Sequence, residues 1–285
     1  MIEGQPSITA ERVAIRRAVH QLTDRPLIFE DPYALTIVGP AREQEIRSDP
    51  YRAGGGALGR ALRAHLVIRS RVAEDQLATA VDEGVRQYVV LGAGLDTFIC
   101  RNPHRNLRVF EVDSPATQAW KRQLLRDTGL RVPDTAAFVP CEFTRQSVVE
   151  VLDQVGFDRR HPAFFSWLGV TMYLEPATTL RTIEALAPLA AGGGGLVFDY
   201  SVPPESIGVL QRIGFKVLAG RLARVGEPLI GFFDPLELAA AVTRAGFSRV
   251  DDLSSSDLTA RFLSNRSDGL RLSGLGHILC ACVKT

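Results

Sequence analysis

Two glycines one residue apart, followed on the next apolar run by an acid, are the residues in this sequence best suited to chemistry. The apolar run 87–91 leads into a turn that contains Gly92 and Gly94, and a second run, 107–112, leads into Asp113. In a parallel α/β sheet these two points lie side by side at the carboxyl edge. Glycines let the backbone approach a ligand closely, and a carboxylate can accept hydrogen bonds from ribose hydroxyls. The pattern therefore predicts a site for an adenosine-bearing cofactor.

The residue three places after Gly94 bears on which cofactor this is. Dinucleotide enzymes carry a third glycine there, which allows a helix to pack closely above a pyrophosphate. In this chain the position is Thr97. The sequence therefore favours a ligand without a pyrophosphate, and S-adenosylmethionine is such a ligand. An NAD-dependent oxidoreductase and a plain strand–helix turn with a surface acid remain the alternatives at this point.

The chain around this turn alternates between two kinds of pattern. Strand-like runs cover 87–91, 107–112, 136–139, 163–168, 194–200, 247–253 and 277–283. Helical stretches lie between them, at 96–101, 115–128, 145–155, 176–190 and 234–242. Alternation of strands and helices predicts an α/β fold with a mostly parallel, seven-stranded sheet. Because the last run is apolar on both faces, we expect it to be an inner strand.

Further helices are predicted before the first strand and after the fifth. Residues 9–23 and 60–84 have helical spacing, and Asp31 followed by Pro32 has the composition of a helix start. Residues 48–59, with three consecutive glycines, predict a mobile loop. We expect a single domain over 1–285, divided into an N-terminal helical cap at 1–84 and an α/β core at 85–285 with a helical insertion at about 203–230.

Composition excludes several classes of function. The chain has 285 residues and a formal net charge of +1, without a long basic run, so we expect no nucleic-acid partner. Its longest apolar stretches are strand-sized, and its first residues lack a signal-peptide pattern, so we expect neither a membrane span nor secretion. Its four cysteines have no metal-ligand spacing with histidine. These features predict a reduced, cytoplasmic protein without a metal site, and they leave the oligomeric state open.

Several motifs together resemble one known family. Residues 90–97 read VLGAGLDT, residues 110–115 read FEVDSP, and residues 165–174 read FSWLGVTMYL. With the segments 31–34 and 266–271, they resemble the leucine carboxyl methyltransferase family, in particular its bacterial S-adenosylmethionine-dependent O-methyltransferases. The resemblance spans nearly the whole chain. It implies a Rossmann-like class I methyltransferase fold with an N-terminal helical lid and an insertion after strand five, and it implies S-adenosylmethionine as cofactor.

The resemblance also assigns roles to individual residues. Asp113 is expected to hold the ribose, and Arg71 matches the family arginine that binds the methionine carboxylate. Arg17 on the first helix is a further match for a basic cofactor-binding position. The other expected cofactor contacts are Gly92, Ala93 and Gly94 along the turn, and Glu142 and Phe143 beside the adenine. Where the members that methylate a protein phosphatase have an acid after strand four, this chain has Leu168.

Methyl transfer from a sulfonium is an in-line displacement, so the protein must align nucleophile, methyl group and sulfur. A carboxylate acceptor needs no general base, whereas a hydroxyl acceptor does, and the sequence contains no evident His/Asp pair. We therefore expect O-methylation of a carboxylate or hydroxyl on a small molecule, achieved mainly by positioning. The candidate substrate-side residues are Tyr173, Tyr200 and Arg69. The competing readings are an NAD-dependent oxidoreductase and a non-catalytic or non-methylating protein of the same fold.

Overall fold

A seven-stranded sheet forms the centre of the molecule. The computed structural model describes residues 6–52, 56–143, 145–224 and 226–283. Its strands are β1 (Gln87–Leu91), β2 (Arg108–Asp113), β3 (Ala136–Pro140), β4 (Ala163–Trp167), β5 (Gly195–Ser201), β6 (Arg249–Leu253) and β7 (Gly276–Cys282). They lie in the order β3-β2-β1-β4-β5-β7-β6, and β7 is antiparallel to both of its neighbours. The predicted seven-stranded, mostly parallel sheet is confirmed, and β7 is an inner strand as expected.

Ten α-helices surround the sheet in the described ranges. They are α1 (Ile8–Thr23), α2 (Pro40–Ser48), α3 (Gly56–Asp82), α4 (Phe98–Arg101), α5 (Pro115–Thr128), α6 (Val148–Asp153), α7 (Pro176–Ala190), α8 (Val209–Ala223), α9 (Pro235–Ala245) and α10 (Ser255–Phe262). The local sequence defines several ends. Asp234 accepts two backbone N–H groups at the start of α9, and Gly129 ends α5 in the left-handed conformation. None of the described helices combines the length and apolarity that crossing a bilayer requires.

Both faces of the sheet are covered by helices, so the central strands β1, β4 and β5 are buried along their whole length and are mostly apolar. Tyr88, Val90 and Phe164 face α3 in one core cluster. Val89, Phe165 and Trp167 face α6, α7 and α9 in the other. Successive residues of a strand point to opposite faces, so each central strand contributes to both clusters. This packing fixes the carboxyl edge of β1, β2 and β4 as a rigid platform.

The structure differs from the sequence prediction in three places. The helix expected to begin at Asp31 is a series of turns, and the next helix begins at Pro40 instead. Asp31 Oδ1 does accept a hydrogen bond from Tyr33 N at 3.1 Å, so its capping chemistry is used in a turn. Helix α10 was not predicted. Of the glycines in the expected loop at 48–59, Gly54 and Gly55 lie outside the described residues, and Gly56 begins α3.

Candidate functional site

A cavity of about 340 Å³ opens at the carboxyl edge of the sheet. Its floor is the turn after β1, and its walls come from α1, α3, the start of α5 and the loops after β3 and β4. In an open parallel sheet this is where ligands bind, because the connections leave β1 and β4 in opposite directions and a crevice forms between them. The predicted cofactor-binding residues are therefore expected to line this cavity.

The glycines of the turn leave no room for side chains. Gly92 and Gly94 have backbone φ angles of +64° and +50°, which residues other than glycine rarely adopt. A Cβ on Gly92 would lie 2.3 Å from Val170 Cγ2, and one on Gly94 would lie 3.1 Å from the Cβ of Ala10. Ala93, between them, is buried and also lines the cavity. The backbone of this turn thus forms the exposed floor of the crevice.

Asp113 is held beside this floor by two backbone N–H groups. Its Oδ2 accepts from Gly94 N at 2.5 Å, and its Oδ1 accepts from Ser114 N at 2.6 Å. Burial raises the pKa of this carboxyl, while the two N–H groups act in the opposite direction. The carboxylate lines the cavity with its orientation fixed, as an acceptor of hydroxyl groups requires.

Arg17 joins α1 to the same floor. Its Nη1 lies 2.9 Å from Asp96 Oδ2, and its Nη2 lies 2.5 Å from Asp31 Oδ2. The hydroxyl of Thr97, the residue at the place of a third glycine, donates to Asp31 at 2.8 Å and is buried. Burial would raise the pKa of Asp96, but Arg17 and Arg101 outweigh it and lower that pKa to about 2. Arg17 Nε is buried without a partner among the described residues, so this cavity-lining side chain retains donor capacity.

Arg69 and Arg71, two of the arginines of α3, have opposite surroundings. Arg69 lines the cavity, and its Nη1 donates to Asp199 Oδ2 at 2.7 Å. Asp199, at the end of β5, is fully buried and also accepts from Gly169 N at 2.5 Å. Burial would raise the pKa of Asp199, but Arg69, His65 and the Gly169 N–H outweigh it and hold that pKa well below its usual range.

Arg71 does not belong to the cavity wall in the described part of the chain. Its side chain is 49% exposed, and it donates to Asp75 Oδ1 at 2.7 Å and to the Ile28 carbonyl at 3.3 Å. The role in carboxylate binding that the resemblance gave to Arg71 is therefore at odds with this geometry. The reason is helical: residues two apart on a helix point in nearly opposite directions, and Arg69 is the one that faces the sheet.

The loop after β3 closes one end of the cavity. Cys141, Glu142 and Phe143 line it. The Phe143 ring lies 6.2 Å from the ring of Trp167, centroid to centroid, and rests on the buried end of β4. The structure thus brings Glu142 and Phe143 together with Asp113 and the glycine turn, as the sequence predicted.

The two candidate tyrosines lie in different places: Tyr173 lines the cavity and Tyr200 does not. Tyr173, in the short 3-10 turn after β4, lines the cavity and hydrogen-bonds with the Thr9 side chain, and burial raises its pKa. Tyr200 is buried within the sheet, where its hydroxyl donates to Asp252 Oδ1 at 2.9 Å. Strand alternation explains this: Asp199 faces α3 and the site, so Tyr200 faces the opposite core. The prediction of Tyr200 as a substrate-side residue is therefore not supported by its position.

Sequence reasoning missed one group of cavity residues. Glu227, after α8, lines the cavity and is only 5% exposed. The hydroxyls of Ser7 and Thr9, at the start of α1, both donate to its carboxylate. No local pattern marks Glu227, since its partners lie more than 200 positions away along the chain. Only the N-cap character of Ser7 was a readable signal.

His20, on α1, has a structural role. It is buried, its Nδ1 lies 2.8 Å from Asp24 Oδ2, and its Nε2 accepts from Ile28 N at 3.2 Å. Both ring nitrogens are thus engaged in fixing the turn after α1.

Comparison with known proteins decides the family. The sequence model described as leucine carboxyl methyltransferase matches residues 10–187, which include α1, the glycine turn, Asp113 and Tyr173. The chain belongs to the leucine carboxyl methyltransferase family. It is 30% identical over its whole length, and over the whole of the relative, to YktD of Bacillus subtilis (strain 168), whose name provisionally assigns it as an S-adenosyl-L-methionine-dependent methyltransferase. It is also 30% identical to a similarly named protein of Mycolicibacterium gilvum, over 78% of this chain and 71% of that one.

Solved structures agree with this family at the level of the fold. A protein of Thermobifida fusca, provisionally named a methyltransferase, superposes with a TM-score of 0.59 at 17% identity, over 100% of this chain and 97% of that one. A DUF574 family protein of Streptomyces avermitilis gives a TM-score of 0.54 at 15% identity, over 95% and 96% of the two chains. The protein is thus an S-adenosylmethionine-dependent methyltransferase of class I fold, and the NAD-dependent alternative is not retained.

Proposed function

We propose that this methyltransferase transfers the methyl group of S-adenosylmethionine to an oxygen, of a hydroxyl or a carboxylate, on a small molecule. One observation carries the proposal: the glycine turn with Asp113 and the wall formed by Tyr173 and Glu227 line a single cavity. A volume of about 340 Å³ lies in the range of small-molecule sites. The net charge of +1 and the lack of a long basic run in the sequence also favour a small molecule over a nucleic acid.

The residues present fit the cofactor. A Cβ on Gly92 would collide with Val170 Cγ2 at 2.3 Å, so this part of the cavity floor is bare backbone that a ligand can approach. Asp113 supplies the acceptor for ribose hydroxyls, and Phe143 supplies an apolar face beside Glu142 for the adenine. The buried, unpartnered Nε of Arg17 and the cavity-lining guanidinium of Arg69 supply donors for the methionine carboxylate. In this assignment Arg69 takes the position that the sequence gave to Arg71.

The bound cofactor supplies an activated methyl group, and the chain contributes position and exclusion of water. In this proposal the β1 turn and Asp113 orient the cofactor, while α1 and the loop after β4 cover the acceptor. Enclosure matters because a charge-dispersing displacement proceeds faster when the reacting atoms are held in line and away from bulk water.

Two measurements on the same preparation test the proposal. Isothermal titration with S-adenosylhomocysteine is expected to give saturable one-to-one binding, which Asp113→Asn weakens. Incubation with S-[methyl-³H]adenosylmethionine and a small-molecule extract is expected to label a product of low mass. Binding without any transferred label would favour the non-methylating reading of the fold. Absence of binding at high ligand concentration would contradict the cofactor site itself.

A further inference from the structure

Glu227 is a buried carboxylate that lines the cavity and pairs with no cation among the described residues. Its Oε1 accepts from the Ser7 hydroxyl at 3.0 Å, and its Oε2 accepts from Thr9. No arginine or lysine within the described ranges forms an ion pair with it. A buried carboxylate with hydroxyl partners alone is costly to the fold, and such groups are typical of functional sites.

The segment that contains Glu227 is held against the start of α1 and the loop after β4. The segment after it hydrogen-bonds the loop after β4, through Ile230 N to the Met172 carbonyl at 2.9 Å and Gly231 N to the same carbonyl at 3.0 Å. Phe232 then bridges to Ser201 at the end of β5. The Thr9 side chain hydrogen-bonds both Glu227 and Tyr173, so these two side chains line one wall of the cavity.

The charge of this wall discriminates between acceptors. The charge of Arg69 acts on Tyr173, but it is compensated by Asp199 at 2.7 Å. Glu227 adds a negative charge beside Tyr173. A carboxylate acceptor would be repelled there, whereas a hydroxyl would find an acceptor for its proton.

Building on the proposed function, we infer that Glu227 is the general base for a hydroxyl acceptor and that the product is a methyl ether. The acceptor oxygen forms a bond to the methyl carbon as the carbon–sulfur bond breaks and its electron pair stays on sulfur. The hydroxyl proton passes to the Glu227 carboxylate and from there to solvent. Ser7 and Thr9 hold the carboxylate in place for this transfer.

Alkali distinguishes the two kinds of product. Methyl esters release labelled methanol on mild alkaline hydrolysis, while methyl ethers keep the label. Product made by the full-length protein from S-[methyl-³H]adenosylmethionine and the extract is expected to be alkali-stable, with the methyl on oxygen by mass spectrometry. Release of the label as methanol, or a methyl on nitrogen, overturns the inference while leaving methyl transfer intact. Absence of any transfer contradicts the proposed function instead.

Variants of Glu227 provide a second readout that does not depend on turnover. Glu227→Gln keeps a group that the Ser7 and Thr9 hydroxyls can bond but removes the charge. It is expected to lower kcat/KM by about 100-fold or more. With the protein saturated by S-adenosylhomocysteine, the same variant is expected to bind benzoate more tightly than the wild type and phenol less tightly, as measured by isothermal titration.

A matched variant separates local charge from general effects. Glu205→Gln removes an exposed carboxylate that does not line the cavity. It is expected to leave the affinities for benzoate and phenol unchanged. The affinity of Glu227→Gln for S-adenosylhomocysteine is expected to match the wild type, which shows that the variant is folded. If Glu227→Gln turned over at the wild-type rate, or bound benzoate and phenol as the wild type does, Glu227 would not be the base. Glu227→Asp, which keeps the charge on a shorter arm, is expected to recover part of the activity.

Discussion

The backbone N–H of Gly94 donates to the carboxylate of Asp113 at 2.5 Å, although 19 positions separate the two residues along the chain. This bond ties the turn after β1 to the tip of β2. The floor of the cavity and the acid proposed to bind the ribose are therefore one rigid unit, and a change to either residue is expected to affect cofactor binding first.

Replacement of Gly92 by alanine tests the shape of the floor. The new Cβ would lie 2.3 Å from Val170 Cγ2, on a backbone with φ of +64°. We expect a loss of about 1–3 kcal/mol in the free energy of unfolding and a much larger loss of S-adenosylhomocysteine affinity. The control is Gly129→Ala, which has φ of +68° but no atom within 4 Å of its Cβ. An unchanged affinity in Gly92→Ala would contradict close approach of the ligand to this turn.

Asp113→Asn tests the acid. The amide can still accept from Gly94 or Ser114, but it loses the charge that strengthens bonds from ribose hydroxyls. We expect S-adenosylhomocysteine to bind with about 10- to 100-fold lower affinity by isothermal titration, since a hydrogen bond to a charged group is worth about 1.5–3 kcal/mol. Adenosine alone should lose as much, because it carries the same ribose. Equal affinities for wild type and variant would remove Asp113 from the site.

The pair Arg69→Lys and Arg71→Lys tests which arginine of α3 serves the cavity. Lysine at 69 preserves a charge opposite Asp199 but not the planar fork of donors, so we expect roughly tenfold weaker binding of S-adenosylhomocysteine. Arg71→Lys, at an exposed site paired with Asp75, should change affinity by less than about twofold. Thermal unfolding of both variants checks that they are folded. The reverse order of effects would restore the role that the sequence suggested for Arg71.

The lowered pKa of Asp24 is expected to account for part of the loss of stability of the fold in acid. Burial would raise its pKa, but hydrogen bonds with His20 and Arg63 outweigh this and lower it from 3.8 to about 2. The stabilisation is thus complete above pH 3.8 and is lost as the pH falls towards 2. Its size is about 2 kcal/mol.

Urea unfolding at pH 7 and at pH values between 4 and 2 measures this contribution. Asp24→Asn is expected to be less stable at pH 7 and to show a shallower decline on acidification. Asp251→Asn serves as the control, since Asp251 is exposed and pairs with Arg249 on the same strand. Parallel declines for wild type and Asp24→Asn would show that other carboxyls govern the acid limb.

Local patterns were sufficient for the strands and for the heart of the cofactor site. Strand-like runs predicted all seven strands, and the signal was clearest for β1, β4 and β5, since a strand buried on both faces needs a largely apolar run. The glycine turn and Asp113 could be recognised because their roles depend on backbone conformation and on the end of a strand. The turns at Asp31 and helix α2 were missed since Asp-Pro suits both a helix start and a turn.

The residues of the other wall depended on how distant segments meet. Arg69 and Arg71 have the same chemistry, and only the rotation of α3 on the sheet decides which one enters the cavity. Tyr200 was misplaced for a similar reason, because one step along β5 exchanges the two faces. Glu227 became visible only once the start of α1 had folded against the segment after α8.

The sequence by itself determined the sheet, the cofactor class, and the glycine turn with Asp113 as candidate cofactor contacts, because each depends on a short stretch of neighbouring residues. The tertiary structure alone decided which arginine and which further carboxylate line the cavity. Those choices are set by packing between segments far apart along the chain, and local periodicity contains no information about them.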